Sequence, residues 1–134
     1  MKLTLFFDGY CPLCSAEMSL LEALDHDGNL VFEDIHAEKF ALRYPNIDPI
    51  KANKILHGLY EDGSMIYGLD VTCQAWRAVD QKHWLAILRW PVIRWFSDIG
   101  YLIFAKNRYL ISWLLTGQKR CVPCVKKTES KCEL

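Results

Sequence analysis

The feature that most constrains this chain is the junction near its start. An apolar run from Leu3 to Phe7 is stopped at once by Asp8-Gly9, and a helical pattern opens at Pro12. A short run rich in aromatics and closed by a turn suits a buried strand better than a helix. From Pro12 onward, Leu13, Ala16, Leu20, Leu21 and Leu24 fall near helical spacing, with Glu17, Glu22 and Asp25 between them, until Asp27-Gly28-Asn29 ends the segment. Leu30 to Ile35 then reads as a second strand. Strand, helix and strand in this order predict two parallel strands joined by a right-handed crossover.

Further along, residues 37 to 43 are expected to form a short helix before breaks at Tyr44-Pro45 and Asp48-Pro49. Asn53 to Tyr60 and Ser64 to Tyr67, separated by Glu61-Asp62-Gly63, carry the clearest hairpin signal. Gly68 opens a helical stretch from Leu69 to Val79, and residues 83 to 115 continue as two or three helices divided at Pro91 and Gly100. The predicted class is therefore α/β and thioredoxin-like: a βαβ unit, a β-hairpin and an additional C-terminal helical region. Residues 1 to 117 form the expected single domain, followed by a Lys- and Cys-rich tail over 118 to 134.

A chain of 134 residues can bury a core without covalent staples. Sixteen basic and sixteen acidic side chains cancel, and the basic residues form no stripe, so nucleic acid is not an expected partner. The N-terminal apolar stretch is too short for the apolar region of a signal peptide, and no cleavage site follows it. A cytoplasmic location is therefore expected, where structural disulfides are rare and CxxC pairs serve redox or metal chemistry.

Cys11 and Cys14 stand across the first turn of the expected helix, close enough to close a disulfide. The first thiol meets free backbone N–H groups and the positive end of the helix dipole, which favour an anion. Cys11 is therefore the expected nucleophile, with a pKa lowered from about 8.5 into a range of roughly 3.5 to 7.5. Cys14, one turn inside the helix and expected to be less exposed, would resolve the mixed disulfide. Pro12 fits the first helical position, where its fixed φ is already helical and its missing N–H would have had no partner. Asp8 pulls in two directions: ionised it opposes the thiolate, and protonated it could exchange a proton with the resolving thiol. With no Lys, Arg or His immediately flanking the pair, an intermediate acidity is expected. A reducing or exchange role is expected with it. A protein disulfide or a small thiol is the expected substrate, no cofactor is implied, and the electron donor is left unidentified.

The run Asp8-Gly9-Tyr10-Cys11-Pro12-Leu13-Cys14 resembles the signature of the DCC family of thiol-disulfide oxidoreductases. Glu61-Asp62-Gly63 with Tyr67-Gly68, and Tyr101 through Ala105-Lys106-Asn107-Arg108-Tyr109, are similar to the same family's pattern. The resemblance covers most of the chain, implies redox activity and carries the family's Asp, Cys and Cys onto Asp8, Cys11 and Cys14. Ordinary thioredoxins place a cis-proline before the third strand; here the nearest candidate is Pro49, several residues early and not favoured in that role.

Other readings compete. Cys121 and Cys124 repeat the CxxC spacing, and the two pairs together are the raw material of a zinc site. Cys121, Cys124 and Cys132 could alternatively hold a metal with a fourth ligand, act as a second dithiol, or sit in an extension outside the packed domain. Cys73 reads as a small buried hydrophobe. His26, His36, His57 and His83 form no metal spacing and read as structural or exposed. Arg108 is read as a helix-surface ion pair in preference to a partner of Asp8 or of a substrate carboxylate. The stretch Trp84 to Leu115 is interrupted by Arg89, Pro91, Arg94, Asp98, Lys106, Asn107 and Arg108, and lacks the about 18 continuous apolar residues of a spanning helix. Core-facing helices are preferred there over an aromatic face that docks a protein or a membrane surface. A non-catalytic docking module of that kind is the alternative function.

Overall fold

The computed structural model describes residues 2–82, 85, 87–88 and 90–117. It is a four-stranded mixed sheet with helices on both faces. The elements run β1 (Leu3–Phe7), α1 (Pro12–Leu24), β2 (Leu30–Asp34), α2 (Phe40–Arg43), α3 (Pro49–Lys54), β3 (His57–Tyr60), β4 (Met65–Tyr67), α4 (Leu69–Ala78) and α5 (Pro91–Thr116). The strand order is β2-β1-β3-β4. β1 pairs parallel to β2, with Leu5 opposite Phe32, and antiparallel to β3, with Leu5 opposite Gly58. β4 closes the hairpin on β3. This is the thioredoxin-like arrangement expected, extended by a C-terminal helix.

β1 is central, and its alternation feeds two cores. Leu3 and Leu5 face Met18 and Leu21 of α1 and Val71, Ala75 and Trp76 of α4. Phe6 points the other way, among Ile35, Phe40 of α2 and Ala52 of α3. A strand covered on both faces reads as a continuous apolar run, which is what the sequence shows. Each fully buried side chain of this size contributes about 1.5–3 kcal/mol.

Local chemistry sets the connections that carry the site. The Asp25 carboxylate accepts the N–H groups of Asn29 (2.9 Å) and Leu30 (2.8 Å), which turns the chain from α1 into β2. Gly9 follows β1 so closely under Asp34 that an added Cβ would lie 2.1 Å from the Asp34 carboxylate, so a larger residue would displace that side chain and its hydrogen bond from the Gly9 N–H.

Three expectations about elements require correction. Asp48-Pro49 does not break the chain but starts α3: the Asp48 side chain accepts the Ile50 N–H (2.9 Å), and Pro49 takes the first helical turn. The third strand consequently begins at His57, because Asn53 and Lys54 belong to α3. Gly100 does not divide the last helical region, since α5 runs unbroken through it from Pro91 to Thr116.

A fourth correction concerns packing. α5 packs against α1 and α4, yet its buried residues are Arg108 and Ser112, and a wide apolar face including Val92, Trp95, Phe96, Ile103, Leu110 and Leu114 is exposed. Its inner side meets a polar cluster, so the apolar side is turned outward. No helix among the described residues is long and apolar enough to cross a membrane.

Candidate active site

The site forms where β1 ends, α1 begins and the middle of α5 crosses over them. Phe7 hands the chain to Asp8, whose carbonyl accepts the Cys11 N–H (3.1 Å) and closes the turn into α1. Cys11 is the N-cap: its backbone is extended, and its sulfur accepts the Cys14 N–H at 3.4 Å. The Ser15 hydroxyl donates to the Gly9 carbonyl (3.1 Å), tying the turn to the helix. Pro12 occupies the first helical turn, as the spacing implied.

The two thiols are held in opposite states. A hydrogen bond from the Cys14 thiol brings the Cys11 pKa down to about 7 against its own burial, assisted by the Cys14 N–H and the charge of Arg108 and opposed by Asp8. The same hydrogen bond, then burial and the Cys11 charge, push Cys14 up. Cys11 is thus the more acidic thiol of the pair and Cys14 the less acidic.

Exposure reverses the expected order. Cys11 has 0% of its surface exposed, whereas Cys14 is partly exposed. The reason is the N-cap geometry, which folds the Cys11 side chain back over the first turn. Cys14, by contrast, lines a cavity of about 60 Å³ together with Asp8, Glu17, Thr72, Tyr101 and Arg108.

Asp8, 1% exposed, is the hub of a charged cluster. Its Oδ1 accepts the Tyr10 N–H (3.0 Å) and His36 Nε2 (2.8 Å); its Oδ2 accepts Arg108 Nη2 (2.9 Å) and the Tyr109 hydroxyl. Burial pushes the carboxyl up, but Tyr109, the Tyr10 N–H, Arg108 and His36 outweigh it and hold it below the usual carboxylate range. Arg108 Nη2 also donates to the Asn53 side-chain oxygen at the end of α3. Burial works against the Arg108 charge, and the contacts with Tyr109, Cys14 and Asp8 more than restore it. The reading of Arg108 as a surface ion pair is therefore overturned: the residue is 7% exposed and pairs with Asp8 from a hundred residues away.

The sequence places none of His36, Asn53 and Tyr109 in the site: it reads His36 as structural or exposed, Asn53 as part of a strand and Tyr109 only as part of the family-like segment. His36 stacks on Tyr10 with ring centroids 3.9 Å apart, and its N–H is held by Asp34 (2.9 Å). Its only sequence cue was its place just beyond β2, beside the end of β1. His57 is structural, with Nδ1 2.6 Å from the Ile55 carbonyl. Cys73 is half-buried against the α4 core. The described residues contain no cis peptide bond, and Pro49 serves in the first turn of α3. Among them no His, Cys, Asp and Glu residues group as metal ligands; Cys121, Cys124, Cys132 and His83 lie outside the described residues.

Comparison with known proteins adds a family. The family model for DCC1-like thiol-disulfide oxidoreductase matches residues 5–114. An uncharacterized chloroplastic protein of Arabidopsis thaliana is 24% identical over 113 residues, which is 83% of this chain and 53% of that protein. The chain thus spans about half the length of this curated relative. No solved structure matches.

Proposed function

The chain belongs to the DCC1-like thiol-disulfide oxidoreductase family, and from that premise we propose that Cys11 and Cys14 exchange a dithiol for a substrate disulfide. The observation that carries this reading is the split between the two sulfurs, Cys11 lowered to about 7 and Cys14 raised, across one turn of α1. Thiolate is the attacking species in exchange, and a pKa near ambient pH suits the attacking thiol.

The Cys11 thiolate attacks one sulfur of the substrate disulfide. That S–S bond breaks, the leaving thiolate takes up a proton, and a mixed disulfide remains on Cys11. Cys14 then loses its proton and attacks the Cys11 sulfur, which expels the second substrate thiolate and leaves a Cys11–Cys14 disulfide. Two electrons have passed to the substrate, and an external thiol or protein reductant restores the dithiol. The cavity beside Cys14 is also lined by Glu17, a carboxylate to which the proton can pass. Asp8 contributes most as a fixed charge: with Arg108, His36, Tyr10 and Tyr109 all donating to it, it stays ionised and orients Arg108 toward the thiols. A reducing compartment such as the cytoplasm suits this direction of transfer.

Because Cys11 is covered, exchange proceeds through a local opening around it. The test is a Cys14→Ser variant, which should accumulate a mixed disulfide on Cys11 visible by mass measurement without reductant. Failure of the unmodified chain to reduce any disulfide, with no adduct on the variant, would sink the proposal. The outward apolar face of α5 favours a second reading, a docking module that engages an apolar protein or membrane surface. Under that reading Cys11→Ser would leave the chain's cellular role intact.

A further inference from the structure

Between the end of α3 and the middle of α5 lies a cavity of about 460 Å³, separate from the one at Cys14. Its polar lining consists of Asn53, Lys54, Lys106, Arg108 and Tyr109, with Leu102 among the apolar residues, and no acidic side chain takes part. A volume of this size suits a small ligand rather than a folded protein.

The charge in this pocket is uncompensated. Lys54 and Lys106 are exposed, and neither has an ion-pair partner among the described residues. The Arg108 side chain is 9% exposed, and its contacts with Asp8, Asn53 and Tyr109 all use Nη2. Nη1 and Nε therefore have no partner among the described residues, although the guanidinium is a fork built to donate in pairs. Asp8 balances one of the three cations, so the pocket retains the two positive charges of the exposed lysines at its rim, which draw anions toward it at low salt.

Position turns this from an anion site into a substrate site. Arg108 lines this pocket and the Cys14 cavity alike, and its charge acts on both Cys11 and Cys14. An anion seated against it is separated from the cavity that Cys14 lines by the Arg108 side chain alone, and it reaches the covered Cys11 through the local opening that exchange requires. We infer that the pocket between α3 and α5 docks a carboxylate-bearing low-molecular-weight disulfide, gripped by Lys54, Lys106 and Arg108 while its sulfurs are presented to Cys11. This assignment of substrate class rests on the thiol-disulfide reading above.

Three small disulfides of differing charge test it on the full chain: dithiodiglycolate (anionic), hydroxyethyl disulfide (neutral) and cystamine (cationic). Each kcat/KM is normalised to that compound's rate with free dithiothreitol. The normalised values should fall in that order, by about tenfold from first to last at low salt, and the spread should shrink as salt screens the lysines. Combining Lys54→Gln with Lys106→Gln should compress the same spread. A second arm uses the Cys11→Ser, Cys14→Ser chain and glutarate as a probe that cannot exchange. Calorimetry should find glutarate bound at low salt, more weakly after the two lysine substitutions. In the native dithiol chain, glutarate should move the midpoint of Cys11 alkylation upward by masking Arg108. Glutarate binding with all three disulfides inert would overturn the assignment of a small disulfide to this pocket, and reduction of insulin by the same chain would then keep the redox reading while its failure would overturn that too. Equal normalised rates, unchanged by the lysine substitutions, would overturn the pocket and keep the redox reading.

Discussion

At the scale of single residues, Arg108 joins the two halves of the site. It neutralises Asp8 and supports the Cys11 thiolate, so its removal should be read in two measurements. In Arg108→Gln, the pH midpoint of Cys11 alkylation should rise above about 7, because a positive charge that lowers it is gone while Asp8, which raises it, remains. The same variant leaves a buried carboxylate without its cation, which costs about 3 kcal/mol in urea unfolding. An unchanged midpoint in a folded variant would remove Arg108 from the electrostatics of the thiols. Asp8 has its own pH signature. Its folded pKa lies below the unfolded value, so the stability it contributes is complete above about 3.9 and is lost as pH falls through the folded pKa. Asp8→Asn should be less stable at neutral pH, and the gap between the two chains should close on acidification below that point. The cysteine pair and Asp8 could be found from local sequence because all three lie in one turn. Their partners are less legible: the sequence offers Arg108 as a partner of Asp8 only as the less favoured reading, because Arg108 and Tyr109 are about a hundred residues away and no local periodicity records a contact made only by folding.

At the scale of elements, success and failure of the sequence reading divide on whether the signal was local and unopposed. β1 and α1 have clean periodicities separated by a turn, and both form with the expected bounds. α3 was hidden because Asp-Pro signals both a turn and a helix start, and six residues are too few to show a period. Its identity rests on the Asp48 cap, so Asp48→Ala should cost about 1 kcal/mol. Because α3 carries Asn53, that variant should also loosen Arg108, seen as faster hydrogen exchange in the Asn53 region. The sequence presents Gly100 as a breaker, yet α5 runs through it from Pro91 to Thr116. A glycine inside a helix costs only about 1 kcal/mol relative to alanine, which the flanking turns outweigh. An alanine at position 100 would meet nothing within 4 Å, so Gly100→Ala should raise stability by up to that amount. A loss of stability instead would mean that α5 is bent or crowded there.

At the scale of the whole molecule, the distribution of polarity on α5 is inverted relative to an ordinary surface helix. Its inner side supplies Arg108 and Ser112, while Val92 (77% exposed), Trp95 (65%), Phe96 (66%) and Leu114 (67%) point outward. A helix of 26 residues is about 39 Å long, so this face is a strip across the molecule rather than scattered side chains. Isolated exposed apolar residues are ordinary; a continuous strip marks a surface that water does not cover in the working state, or one that drives association. The hydrophobic drive is independent of the dithiol, so it should survive in the Cys11→Ser, Cys14→Ser chain. Replacing Trp95 and Ile103 by lysine should change folding stability by no more than about 0.5 kcal/mol each, since neither side chain contributes to the core. The same pair should abolish concentration-dependent association in sedimentation velocity and lower uptake by detergent micelles or lipid vesicles. If the unsubstituted chain sediments as a monomer at all concentrations and ignores both micelles and vesicles, the strip has no such role. A stability loss well beyond that limit would instead show that Trp95 and Ile103 are packed in the folded chain.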